Sequence, residues 1–190
     1  MTESDLKQKN ISPPFWAFAW PGGQAIARYI FDNPSLVKNK SVLDLASGSG
    51  IAGIAAIIAF ARHVDFNEID PLACASIHLN CAANGLTVYP SIFRKNFIAD
   101  PTHDCSQKNS WDIIFAGDVF YEQPMSQKIF NWLLNRAREG TEILIGDPGR
   151  CYFPDGPFEM LYQYSVKTSK MIEKEDEIIS RVYRLLHDVG

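Results

Sequence analysis

The sequence predicts an α/β domain built on a doubly wound, mostly parallel sheet of seven strands, the last strands running antiparallel. Three observations carry this. Short apolar runs alternate with helical patterns along the 190 residues, the order that winds helices onto both faces of a parallel sheet. The run Val42–Leu45 passes into a glycine-rich turn and then a stretch of Ala and Ile. That is a strand, a close-approach loop and a helix start with free N–H groups. The segments 164–170 and 178–186 read as two final strands that pair antiparallel.

Composition sets bounds. Length suits one domain with a full core, taken as residues 13–190 after a flexible tail at 1–12. Hydrophobic residues are 46% and charged residues 21%, ordinary for a soluble globular protein. A net charge of −4 offers no basic footprint for nucleic acid. Cys74, Cys81, Cys105 and Cys151 form no C-x-x-C pair, and no His spacing suggests zinc. They read as reduced thiols, with Cys74 and Cys81 on the core face of one helix. Met1–Asn10 lacks the apolar centre of a secretory signal and the Arg-rich pattern of a transit peptide. The apolar run 50–61 is too short to span a bilayer. The expectation is a cytoplasmic monomer with no metal, nucleic-acid or membrane partner.

In chain order, Pro13–Gly23 holds four aromatics, three prolines and two glycines, and reads as irregular. Its aromatics serve equally as a lid on the core or a ligand wall. Residues 24–31 read as an amphipathic helix ended by Asn33-Pro34. Residues 40–46 are the first strand, and 50–61 a helix apolar enough to lie on a sheet. Residues 63–69 are the second strand. Pro71 opens a helix that stops at Asn84-Gly85. Residues 88–93 are a third strand, and 96–110 are polar and irregular. The apolar run 111–117 reads as a central strand. A helix over 126–138, a buried strand over 141–146 and a short helix over 158–162 complete the reading.

Ligands of such sheets bind beyond the carboxyl ends of the strands. Asp44 with Gly48, Glu68, Asn96, Asp118 and Asp147 all fall there. Gly48, Gly50 and Gly53 match the dinucleotide spacing G-x-G-x-x-G, which keeps an NAD-binding oxidoreductase open. Asp44 argues against it. A carboxylate at that strand end repels a pyrophosphate but suits a ligand carrying an ammonium and a sulfonium, such as S-adenosylmethionine (SAM). Glu68 lies where a carboxylate takes both ribose hydroxyls. Asp70 is its runner-up and fits better as the cap of the Pro71 helix.

The stretch 42–53 resembles motif I of the class I SAM-dependent methyltransferases, Asp-x-Gly-x-Gly-x-Gly, with Ala46 standing where that family usually has its first Gly. Asp118-Val119-Phe120-Tyr121 resembles the Asp-x-x-Tyr motif after the fourth strand of the seven-β-strand protein-lysine methyltransferases. Together with 14–23 and Gly146-Asp147-Pro148-Gly149-Arg150, these segments look like the electron-transfer flavoprotein β-subunit lysine methyltransferase family, including bacterial members. Such sequences also carry the label nicotinamide N-methyltransferase-like. The resemblance implies a Rossmann-like methyltransferase fold and metal-free methylation of a protein lysine, the flavoprotein β-subunit among the targets. It implies a cofactor site of Trp20, Asp44, Ala46, Ser47, Gly48, Gly50, Glu68, Asn96 and Gly117, with Asn96 at the adenine and Trp20 walling the methionine side. Asp118 would capture and orient the lysine, Tyr121 would bound its channel, and Asp147 or Arg150 would touch the substrate protein. Two other readings stand beside it: a small-molecule N-methyltransferase acting on a nicotinamide-like amine, and a non-catalytic SAM-binding module.

Overall fold

The computed structural model describes residues 14–87, 90–99 and 111–187. The expected tail, most of the 96–110 segment and Cys105 lie outside the described residues. Seven strands form one sheet: β1 (Ser41–Leu45), β2 (His63–Asn67), β3 (Ser91–Phe93), β4 (Ile113–Gly117), β5 (Glu142–Asp147), β6 (Phe158–Lys167) and β7 (Glu177–Leu185). Their order is β3-β2-β1-β4-β5-β7-β6. The first five pair in parallel, while β7 runs antiparallel to both β5 and β6.

Helices α1 (Pro21–Asp32), α2 (Ile51–Ile58), α3 (Pro71–Ala83), α4 (Met125–Arg138) and the short α5 (Lys170–Glu173) complete the fold. The two sheet faces explain the apolar strands. Along β4, Ile113 and Phe115 join one core with Ile26, Ile30, Ala55 and Phe66. Ile114 and Ala116 join the other, with Leu133, Trp132 and Ile143. A strand buried on both faces has no polar alternation to show. Cys74 and Cys81 are buried on α3 as expected. Asp70 caps that helix, its Oδ1 accepting the Leu72 N–H at 2.8 Å.

Three expectations change. Residues 158–162 are not a short helix but the first half of β6, one ten-residue edge strand. A register shift between Met160 and Tyr162 breaks its pairing with β7. Such an irregularity interrupts the period-two pattern by which a strand is read. The third strand is shorter than 88–93, covering Ser91–Phe93, with 88–89 outside the described residues. Within the aromatic segment, Phe15–Ala17 forms a 3-10 turn and Pro21-Gly22-Gly23 is the first turn of α1. Pro21 suits a first helical position, where its missing N–H costs nothing.

The two glycines after Pro21 have a tertiary reason. A Cβ on Gly22 would lie 2.1 Å from the Gly146 carbonyl oxygen, and one on Gly146 would lie 2.1 Å from the Gly22 oxygen. A Cβ on Gly117 would lie 2.9 Å from the Gly23 nitrogen. Bare backbone on both sides lets the start of α1 sit directly on the carboxyl ends of β4 and β5.

Candidate active site

The first pole of the site is the turn between β1 and α2. Asp44 is 4% exposed at the end of β1, and its Oδ2 accepts the Gly53 N–H at 2.9 Å. Only glycine fits at 53, since a Cβ would lie 2.4 Å from the Phe66 ring and 3.1 Å from Asp44 Oδ2. Burial pushes the Asp44 carboxyl up to about 7, against the Gly53 N–H and with help from the Glu68 charge. The turn is left-handed at Ala46 (φ 51°), Gly48 (φ 53°) and Gly50 (φ 79°). Ser47 faces inward, its hydroxyl donating to the Asp44 carbonyl at 2.7 Å and its N–H to the Asn67 carbonyl at 3.1 Å. The Ser47 hydroxyl is therefore spent inside the turn.

Ala46 is exposed and carries a Cβ in a left-handed conformation. That conformation costs an L-residue roughly 1–2 kcal/mol, while glycine adds about 0.4–1 kcal/mol of unfolded-state freedom. Ala46→Gly should therefore stabilise the protein by about 0.5–1 kcal/mol. A higher urea midpoint at unchanged slope would show it; an unchanged midpoint would remove strain at this position.

Glu68 closes the turn from the end of β2. Its Oε2 accepts the Gly48 N–H at 2.9 Å, and its Oε1 accepts the Ile69 and Asp70 N–H groups at 2.7 and 3.0 Å. Asn96 lies in the exit of β3, where its Oδ1 accepts the Ile98 and Ala99 N–H groups. It shares no hydrogen bond with the glycine turn. Buried Asn67, which no motif singles out, stitches this edge by donating to the Phe93 and Lys95 carbonyls.

The second pole is the end of β4. Asp118 has φ 55°, which a short polar side chain tolerates, and is 8% exposed. Its Oδ2 accepts the Gly22 and Gly23 N–H groups at the start of α1, so a helix N-terminus faces this charge. Its Oδ1 accepts Arg150 Nη2 at 2.7 Å and Nε at 3.2 Å. Burial pushes Asp118 up to about 6, against the opposing pull of Arg150 and the Gly22 N–H, with nearby Asp147 adding to the rise. Val119 and Phe120 turn into the core while Tyr121 stands 52% exposed. Burial, Glu122 and Glu68 all raise the Tyr121 phenol, so it senses the charge of the first pole.

Arg150 is enclosed rather than projecting. Besides Asp118 it donates to both oxygens of Glu173, at 2.5 and 3.1 Å. Its guanidinium lies 5.4 Å from the centre of the Trp20 ring. Burial opposes its charge, yet Glu173 and Asp118 hold it charged above its ordinary range. Asp147 is 1% exposed. Its Oδ1 accepts the Gly149 and Arg150 N–H groups and thereby shapes the β5 exit, while Oδ2 is buried without a partner. Burial raises this carboxyl too. Phe153 pins the same loop, 5.4 Å from Phe120 and 4.9 Å from Phe158.

The aromatic segment roofs both poles. Trp20 Nε1 donates to the Phe15 carbonyl at 2.6 Å. The Phe15 ring lies 6.1 Å from both Trp20 and Tyr121. The Trp16 Cα stands 3.8 Å from where a Cβ on Gly48 would be. Trp20, Gly117, Asp118, Tyr121, Asp147 and Arg150 are thus gathered at one pole, and Asp44, Ala46, Ser47, Gly48, Gly50 and Glu68 at the other. Asn96 stays at the margin. Sequence reading misses Gly22, Gly23 and Gly146, taken there only as helix breakers or motif members, and Glu173, which sits in a charged run with no distinguishing pattern. Among the described residues no group of three or more His, Cys, Asp and Glu side chains could hold a metal ion, and no helix is long and apolar enough to cross a membrane.

This sheet order, with a glycine turn after β1 and a carboxylate after β2, defines the Rossmann-like methyltransferase class. Magnesium protoporphyrin IX methyltransferase from Synechocystis PCC 6803, solved with bound SAH, shares the fold: its TM-score is 0.60 at 11% identity, covering 86% of this chain and 81% of that one. A family model described as lysine methyltransferase matches residues 9–151. The chain belongs to this lysine methyltransferase family. It is 45% identical to the mouse electron transfer flavoprotein beta subunit lysine methyltransferase over 75% of its own length and 53% of the relative's. It is 35% identical to the Caenorhabditis elegans homolog over 84% of its length and 68% of the relative's. The chain therefore spans little more than half the length of the mouse relative.

Proposed function

We propose that this chain is a SAM-dependent protein-lysine N-methyltransferase whose substrate is the electron-transfer flavoprotein β-subunit. The observation that carries the reading is the pairing of the two poles. A buried carboxylate at the end of β1 and a half-buried one after β2 frame a glycine turn, and an aromatic-walled Asp-x-x-Tyr end of β4 lies beside it. The first pole fits SAM. Gly48 and Gly50 give the turn its left-handed path without side chains, Asp44 would face the cationic end, and Glu68 is one hydrogen bond from the turn. Bound there, SAM supplies an electrophilic methyl group on a sulfonium.

The rest falls to the chain. A lysine ammonium has a pKa near 10.4, so presenting the neutral amine at pH 7 costs roughly 4–5 kcal/mol. A free carboxylate at the acceptor end would worsen this by favouring the ammonium. Asp118 is not free: two helix N–H groups and Arg150 occupy its oxygens. An incoming amine must compete with Arg150 for Oδ1. The carboxylate therefore orients without acting as a strong base. Phe15 packs its ring between Trp20 and Tyr121, an aromatic wall along which the lysine stem would lie. Alignment of the lone pair can contribute several kcal/mol.

The experiment is transfer of labelled methyl from SAM with purified protein, electron-transfer flavoprotein and a cell extract. Label on a lysine of the β-subunit is the expected result. Label confined to small molecules would replace this reading with a nicotinamide-like amine methyltransferase. The reading includes a cytoplasmic monomer without a nucleic-acid or membrane partner; light scattering at the mass of a dimer would remove the monomer.

A pH dependence follows for SAM binding. Asp44 free of ligand ionises at about 7, because burial holds it up. A cation against it favours the ionised form, so its pKa falls on binding and binding below pH 7 releases a proton. Affinity should rise about tenfold between pH 6 and 8 and level off above. Calorimetry at three pH values reads this; an Asp44→Asn variant should lose the slope.

A further inference from the structure

Arg150 donates to two carboxylates that come from distant parts of the chain. Nη2 and Nε reach Asp118 Oδ1 at 2.7 and 3.2 Å, and Nη2 and Nη1 reach Glu173 at 2.5 and 3.1 Å. The Glu173 side chain is 9% exposed and that of Arg150 19%. Glu173 ends α5, a four-residue helix in the β6–β7 connection. A bidentate fork of this kind fixes the plane of a guanidinium as well as its position. Here the fixed plane also lies over Trp20.

We propose that Glu173 is a positioning residue for methyl transfer, sharing Arg150 with Asp118 so that the guanidinium stays over Trp20 and is not drawn wholly onto Asp118, and thereby setting the charge that the acceptor amine meets. The inference rests on the reading of the β4 end as the lysine-acceptor pole. Glu173 anchors the guanidinium from the side away from Asp118. Without its charge, Arg150 is drawn wholly onto Asp118, and the amine loses its share of Oδ1. The acceptor then binds less well, while the first pole, which shares no hydrogen bond with Glu173, keeps its ligand.

The charged groups acting on Asp118 are Arg150 and Asp147 from the β5 exit, with Glu173 of α5 reaching it through Arg150; the start of α1 gives it the Gly22 and Gly23 N–H groups. Removing one negative charge from this set makes the pole more positive. Asp118 of the free enzyme then loses its proton at lower pH, so the acid limb of kcat/KM moves down.

The test compares wild type, Glu173→Gln and Glu173→Asp. Gln keeps the shape and one hydrogen bond without the charge; Asp restores the charge on a shorter arm. For Glu173→Gln, KM for the protein acceptor should rise about tenfold with a smaller change in kcat, as for a broken coupling between neighbouring charged groups. The acid limb should fall by about one pH unit, SAM affinity should stay within about twofold, and Glu173→Asp should restore the limb. The side-chain NMR resonance of Arg150 Nε–H reads the positioning without turnover: it should shift and broaden in Glu173→Gln and recover in Glu173→Asp. Wild-type kinetics and an unmoved Arg150 resonance in Glu173→Gln would overturn the inference. No transfer by wild type to any protein would overturn the proposed function instead, and the resonance would still decide whether Glu173 positions Arg150.

Discussion

Gly146→Ala should destabilise the protein by roughly 3 kcal/mol or more, at the upper end of overpacking costs, and lower the melting temperature by on the order of 10 °C for a chain of this size. The new Cβ would sit 2.1 Å from the Gly22 oxygen, 2.7 Å from its carbonyl carbon and 2.9 Å from Ile26 Cγ1. The first two are backbone of α1 in a buried turn, which cannot swing away as a side chain tip would. Moving α1 to make room also pulls the Gly22 and Gly23 N–H groups off Asp118 Oδ2. A buried carboxylate oxygen would then lose its donors, adding about 1–3 kcal/mol. Gly140→Ala is the control: its φ is +95° but nothing lies within 4 Å, so only the conformational term applies. Urea unfolding that places Gly146→Ala no lower than Gly140→Ala would sink the argument.

Asp118→Asn should reduce methyl transfer by about 100-fold or more, the range seen when a fixed electrostatic group is removed from an active site. SAM affinity should stay near that of wild type. Asn can still offer one carbonyl oxygen to Gly22 and Gly23, so α1 keeps its anchor. Its amide nitrogen then faces the Nη2–H and Nε–H donors of Arg150, donor against donor. Arg150 is repelled toward Glu173, leaving Trp20 and the amine site out of register. A displacement of this kind costs rate even when nothing that touches the reacting atoms is lost. Binding of SAM by calorimetry together with labelled-methyl transfer separates the effects. Unimpaired transfer would mean that Asp118 neither orients the amine nor fixes Arg150.

Much of the fold is legible because its signals are local. Apolar runs of strand length, Pro71 at a helix start and Asn84-Gly85 at its end each act through their own backbone, and the structure has them within a few residues. Misreadings arise where tertiary packing overrides local pattern. The run 158–162 is held extended by pairing with β7 across an irregular register. Pro21-Gly22-Gly23 is helical although two glycines weaken a helix, because a Cβ on Gly22 would meet the Gly146 carbonyl of β5 and one on Gly23 the Ile51 side chain of α2.

The site divides in the same way. Asp44, the left-handed glycines and Glu68 follow their strands directly, so spacing alone places them at one end of the sheet. By itself the sequence determined a doubly wound sheet, a glycine turn framed by carboxylates and an Asp-x-x-Tyr segment at a strand end. Only the tertiary structure decided what Asp118, Arg150 and Asp147 do there. Asp118 is held by a helix start and a guanidinium, Arg150 is enclosed by two carboxylates and an indole, and Asp147 shapes its own loop. The physical reason is that hydrogen-bond and ion-pair partners depend on distance in space. The partners of Asp118 and Arg150 are brought together by sheet order and by glycine contacts, and neither has a period along the chain.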